Sequence, residues 1–209
     1  MGQTNADRAY KLIKDKIVRV DMPPGSIIRE IDLMDELNLG RTPIREALKR
    51  LQADSLVVVK ARRGIFVADI AITDLSQIYE VRVELEGLCA RLAANRMTPA
   101  QLADMRDLAQ QYARMDQTDL DQLFTLDRCF HGLLAAASRN KFLLDELEHF
   151  YNLSLRIWYL SINYIQSENI DIPAHLDILA AIEAKEPNMA EQRMREHIRR
   201  FHDSIRQYI

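Results

Sequence analysis

Past Asp69 the strand signals stop. From there to the C-terminus, about 140 residues, apolar residues recur at three- and four-residue spacing, broken only where a helix would start or stop. A chain with this pattern has to bury its apolar stripes helix against helix. The spacing predicts six helices, over 74–95, 99–115, 119–138, 141–165 or less, 173–184 and 188–208. Thr98 can cap the helix that begins at Pro99, Asn140 interrupts, and Pro173 and Pro187 stand near helix starts. The sequence contains no internal repeat and no low-complexity segment.

The first 69 residues read differently. Ala9, Leu12, Ile13, Ile17 and Val20 mark one stripe of a helix from Asn5 to about Val20, and "DMPPGSII" ends it. "REIDLMDELNL" predicts a short second helix, "LNLG" a tight connection, and "RTPIREALKRLQADS" a third helix with Ile44, Ala47, Leu48 and Leu51 on one face. Pro43 falls in its first turn, where a missing N–H costs nothing. "LVVVKA" and "IFVAD" are strand-like and flank an Arg-Arg-Gly turn, so a hairpin follows. Helix, helix, turn, helix, hairpin is the order of a winged helix-turn-helix. The fold class is therefore mainly α: a winged helix-turn-helix over residues 1–70, then an all-helical body of six to seven helices over residues 71–209.

Charge follows the same division. Residues 1–69 carry 13 Lys and Arg against 10 Asp and Glu, while residues 70–209 carry 15 against 21. A mildly basic head on an acidic body fits a head that meets something anionic. No stretch approaches a membrane span, and the polar start "MGQTNADRAY" has no signal-peptide core, so a soluble cytoplasmic protein is expected. The amphipathic pattern that begins at once argues against lipidation at Gly2. Cys89 and Cys129 lie in apolar helical patterns outside any C-x-x-C motif and are expected to be buried free thiols.

"GRTPIREALKRL" has the chemistry of a helix that reads DNA. Arg41, Thr42 and Arg45 fall on its first turns, away from the apolar stripe, with Arg41 and Arg45 four residues apart. Arginine can grip guanine O6 and N7 with two hydrogen bonds, and threonine can meet phosphate or a thymine methyl. Lys49 continues the basic face, and Arg62, Arg63 and Gly64 form the wing tip. A solvated helix salt-bridged through Glu46 would show the same composition.

The text "PPGSIIRE", "LNLGRTPIREALKRL" and "RRGIFVA", in this order, resembles the GntR family of bacterial transcription regulators over Met22 to Ala68. The resemblance implies that Arg41, Thr42, Arg45 and Gly64 contact DNA. It departs in two places: Asn38-Leu39-Gly40 replaces the usual Gly-Val-Ser, and Arg29 stands where Ser is frequent. Gly40 can cap a helix but lacks the serine acceptor.

The helical body resembles the FCD subgroup of these regulators, from about Thr73 onward. In "LDRCFHGLL", Asp127 and His131 stand one helical turn apart. Alone, such a pair reads as surface or satisfied core groups. The resemblance joins it to His175 of "PAHLDILAAI" and His197 of "MREHIRRF" as ligands of one divalent metal, with Ala174 where the family often has Glu. A carboxylate and three imidazoles suit Zn, Ni, Mn, Fe or Co and would leave positions open on a six-coordinate ion. Unligated, four such groups would be costly inside an apolar bundle.

His149 and His202 are expected to be ordinary, partly exposed residues. Arg82 and Glu86, four apart, are either an internal ion pair or, through Arg82, a clamp for an effector carboxylate. Arg156 is a second candidate for that clamp. The "IWYLSINYI" run is expected to form core and dimer contacts. These readings imply a homodimeric repressor that binds a short palindromic operator in double-stranded DNA and releases it when a small organic acid binds the metal-containing body. The alternatives are a DNA-binding protein with a purely structural metal and a metal-dependent hydrolase.

Overall fold

The computed structural model describes residues 2–116, 119–161 and 172–206. Contacts divide the chain into two compact units. One runs to Ala71 and includes Asn152–Leu160; the other comprises Ile72–Tyr151 and the chain from Ser161 onward.

In the first unit, α1 (Asn5–Val18) begins at a reciprocal cap. The Thr4 hydroxyl accepts from the Asp7 N–H at 3.1 Å, and the Asp7 carboxylate accepts from the Thr4 N–H at 3.2 Å. The helix buries Ala9, Ile13 and Ile17 and stops short of Val20, which takes a left-handed φ of 65°. α2 (Glu30–Leu37) ends on Asn38, whose left-handed backbone (φ 50°, ψ 51°) turns the chain in the way asparagine tolerates. Gly40 then opens α3 (Arg41–Ala53), which buries Ile44, Ala47, Leu48 and Leu51.

The expected hairpin is present. β2 (Val57–Lys60) and β3 (Gly64–Val67) pair antiparallel, with Val57 opposite Val67 and Lys60 opposite Gly64. The structure adds a strand that the sequence did not predict: β1 (Ile27–Ile28) pairs with β3, Ile28 opposite Ile65, to give a sheet in the order β1-β3-β2. Two residues are too few to show alternation, and the Pro-Pro-Gly beside them reads as a break. Ile13, Ile17, Ile44, Leu51 and Val67 form the fully buried centre of this unit.

The second unit is built from helices. α4 (Ile72–Arg96), α5 (Pro99–Arg114), α6 (Leu120–Ala137), α7 (Lys141–Ser161), α8 (Ile172–Glu183) and α9 (Pro187–Arg206) follow the predicted order, with Asn152–Leu160 of α7 counted in the first unit. The expected helix ends at 162–165 and 207–208, and the second half of the "IWYLSINYI" run, lie outside the described residues. Thr98 and Gln101 cap each other's backbone at the start of α5, and the Asp119 carboxylate accepts from the Gln122 N–H at 2.9 Å at the start of α6. Helix α4 packs mainly on α9, and α6 packs on α4 and α5. Gly87 leaves room for a side chain of α9: a methyl group there would stand 2.9 Å from Arg195 Cγ. Met105, Leu123, Leu134, Ile178, Met194 and Ile198 fill the centre. Among the described residues no helix is long and apolar enough to cross a membrane.

Cys89 is buried as expected, but Cys129 is exposed. His149 is partly exposed, whereas His202 is buried and its ring stacks on Tyr79 at 4.3 Å. His202 lies on the same stripe of α9 as Ile198 and Ile205, which draws it inward.

Candidate functional site

Two groups of residues carry chemistry, one in each unit. On α3 the stripe Ile44–Leu48–Leu51 is buried, so the other face is presented outward. Arg41, Thr42, Arg45 and Lys49 are all exposed on it. The carboxylate near the two arginines is Glu30 rather than Glu46, at 3.9 Å from Arg41 Nε and 3.4 Å from Arg45 Nε. Both arginine side chains remain about two-thirds exposed, at 66% and 63%. Exposed pairs of this kind are worth only about 0–1 kcal/mol, so a phosphate or a guanine edge can displace Glu30. Arg50, on the same helix, is held by Asp7 at 2.8 Å and lies over the Tyr10 ring, which gives it a structural place. At the wing tip Arg62 and Arg63 are exposed, and Gly64 takes a φ of 113° that other residues adopt only under strain.

In the body, α6 presents Asp127 and His131 inward from one turn, α8 supplies His175 and α9 supplies His197. One ligand atom from each of the four lies within 4.8 Å of all the others. His175 Nε2 is 3.2 Å and His131 Nε2 is 3.7 Å from the same oxygen, Asp127 Oδ1. The other oxygen, Oδ2, accepts a hydrogen bond from the Tyr151 hydroxyl at 2.7 Å. The far side of His131 is also occupied: its Nδ1 stands 2.5 Å from Glu86 Oε2, near in distance though not aligned along a ring N–H. Glu86 in turn accepts from Arg82 Nε at 2.6 Å. Thus Tyr151 and Glu86 hold the outer edges of Asp127 and His131, leaving Oδ1 and Nε2 facing the cluster.

Burial by itself would raise the Asp127 carboxyl, but the His131 and His175 imidazoles outweigh it and hold Asp127 well below the usual carboxylate range. Burial also opposes charge on His131; Glu86 and then Asp127 overcome it and lift His131 to about 9. His197 goes the other way, pushed well below an ordinary imidazole by burial and then by His175 and His131. Burial, with the Asp127 charge, keeps Tyr151 protonated as a donor. Two buried carboxylates against one buried arginine leave a negative charge that a proton on His131 or a bound cation can neutralise.

The residues fit a metal ion on structural grounds. Among the described residues His175 Nδ1 and His197 Nδ1 have no hydrogen-bond partner, and His175 Nε2 makes no aligned hydrogen bond although it stands 3.2 Å from Asp127 Oδ1; all three atoms are buried. Each such orphan costs about 1–3 kcal/mol unless something binds it. His175 is held by rings instead, stacked on Tyr112 at 5.0 Å and edge-on to Phe130 at 4.5 Å.

A cavity of about 230 Å³ borders this cluster at His131, Glu86 and Tyr151. Arg82 is buried and directed to Glu86, the ion-pair arrangement of the two considered for it. Arg156 is buried in the first unit, where its Nη2 donates to the Ala68 carbonyl at 2.7 Å.

Residues 77–200 match the model of the FCD domain, and residues 5–67 match that of the bacterial regulatory proteins of the gntR family. The chain belongs to the GntR family, with an FCD domain as its body. Its relatives are regulators of transcription. It is 27% identical to the HTH-type transcriptional repressor RspR of Escherichia coli K12, over 95% of this chain and 87% of that one. It is 29% identical to the Nta operon transcriptional regulator of Aminobacter aminovorans, over 89% of this chain and 87% of that one. The structure of E. coli McbR/YncC superposes with a TM-score of 0.87 at 22% identity, covering 98% of each chain, a likeness of fold. This GntR regulator is therefore a DNA-binding transcription regulator and not an enzyme.

Four residues with a part in these sites escaped the sequence reading or were read only locally. Glu30 and Tyr151 meet their partners from other helices and carry no local signal. Glu86 was visible as the partner of Arg82 but not of His131. Arg128, which also lines the cavity, sits inside the "DRCFH" segment, between two candidate ligands.

Proposed function

We propose that this GntR regulator is a repressor whose hold on its operator is released by a small organic acid. Residues 1–70 act as the DNA-binding domain. Two copies of the chain present two copies of α3 to the half-sites of a short palindrome, with Arg41, Thr42 and Arg45 at base edges and Lys49, Arg63 and Gly64 at the backbone. Residues 71–209 bind the effector and dimerise. Asp127, His131, His175 and His197 hold a divalent transition metal, zinc, nickel, manganese, iron or cobalt. When bound, the ion supplies a concentrated positive charge that attracts a carboxylate. Tyr151 and Glu86 fix the orientation of Asp127 and His131, and Arg82 holds Glu86 in place.

The observation that carries this reading is the buried Asp-His₃ set with unpaired nitrogens inside an FCD body. The repressor direction draws on relatives such as RspR. For an acid to release DNA it has to prefer the chain's unbound form, and a tenfold loss of operator affinity needs about 1.4 kcal/mol of such preference. Operator binding measured by fluorescence anisotropy at fixed salt, with and without a panel of organic acids, tests this. At least one acid is expected to weaken binding tenfold or more. If none changes the affinity while the metal is present, the metal is structural and the ligand-responsive reading fails.

A further inference from the structure

We infer that the cavity beside the cluster binds a small amphipathic monocarboxylic acid, with Arg128 as its carboxylate anchor; the inference rests on the proposed ligand-responsive reading and names the effector's chemical class. The cavity measures about 230 Å³. At roughly 30 Å³ for each water-sized atom, it holds about eight non-hydrogen atoms. One side is apolar, formed by Leu134, Leu144, Leu147 and Met194.

The polar side has little capacity to spare. Glu86 is engaged by Arg82 and His131, and the Tyr151 hydroxyl by Asp127. Arg128 is the exception. Its guanidinium lies over the Tyr151 ring, 5.2 Å from the centroid, and meets no carboxylate among the described residues. An arginine set over a ring can still offer its N–H groups for a two-pronged grip on a carboxylate. The His131 ring, also in the wall, is already held between Glu86 and Asp127; the other charged groups there, Glu86 and Glu148, are acidic. A second carboxylate on the ligand would face them, which selects one acid group and an apolar tail.

Gly132 points the same way independently. It lies inside α6, where glycine is a poor helix former, and a Cβ there would meet nothing within 4 Å. No neighbouring atom forbids a side chain. Gly132 lines the cavity, and so do the exposed Leu144 and Glu148. A bare backbone here keeps the cavity open.

Hexanoate matches the volume and is the probe. Calorimetric titration of the full chain with hexanoate, adipate, hexylamine and hexan-1-ol should show hexanoate binding at least tenfold more tightly than the other three. Arg128→Met should weaken hexanoate at least tenfold. Gly132→Leu, a better helix former, should block it by filling the space. Metal content and melting temperature of each variant, measured without ligand, separate a lost anchor from a damaged fold. No hexanoate binding to the wild type, or undiminished binding to both folded variants, overturns the site. Operator release is followed on the same samples. Hexanoate bound through Arg128 without release upholds the site and contradicts control by ligand. An acid that releases operator equally from the wild type and both variants upholds that control and overturns this site.

Discussion

Asp127 and His131 turn inward on α6 while Cys129, two residues from each, turns to solvent. Two residues along a helix rotate a side chain by about 200°, so the exposure of Cys129 follows from placing the two candidate ligands inside. The spacing puts Asp127 and His131 on one face, but the expectation of a buried Cys129 follows the apolar run around it and misses that the same rotation turns it outward. The contacts of Glu86 with His131 and of Tyr151 with Asp127 were not legible, because each joins residues on different helices whose meeting is decided by tertiary packing. The head shows the same division. The outward face of α3 is legible in its apolar stripe, yet the carboxylate beside Arg41 and Arg45 comes from Glu30 at the start of α2. Arg45 is solvent-facing and, among the described residues, held by that exposed pair alone, so Arg45→Ala should leave melting unchanged. It should weaken specific operator binding by about 1–3 kcal/mol if Arg45 makes a two-pronged base contact. Wild-type affinity and salt slope in this variant would remove Arg45 from the interface.

Helices announce themselves by caps and stripes, and the six of the body stand within a few residues of where the sequence puts them. The element that was missed lacks such signals. β1 has only two residues. The breaks after α6 and α8 stand where they were expected, with Arg139 and Lys185 taking left-handed φ values of 49° and 54° without glycine. The α4–α9 crossing shows what an element boundary conceals. Gly87 lies where Arg195 crosses, and Arg195 then grips Glu84 with Nη1 at 2.5 Å and Nη2 at 2.7 Å. Gly87→Leu places a side chain into that crossing. Overpacking of this kind costs about 1–3 kcal/mol, partly offset by leucine's better helix propensity. Thermal unfolding should show a lower melting temperature, and adding Arg195→Ala should restore part of it. A variant Gly87→Leu as stable as the wild type would mean the crossing has slack.

The proposed molecule is a dimer, because a two-fold operator asks for two heads and one chain carries one. Sedimentation at micromolar concentration should give about twice the 24.2 kDa of the chain. A 24.2 kDa species that binds the operator alone would contradict it. Control of such a dimer through its body depends on the proposed metal. A ligand of the native state stabilises it by mass action, so chelation should lower the melting temperature. Elemental analysis of the purified chain, of His131→Ala and of His149→Ala is the most direct measurement. The account predicts about one divalent transition metal per chain in the wild type and in His149→Ala, and most of it gone from His131→Ala. Equal metal in all three, or none in the wild type purified without chelator and resupplied with each candidate ion, would contradict a metal centre at Asp127, His131, His175 and His197.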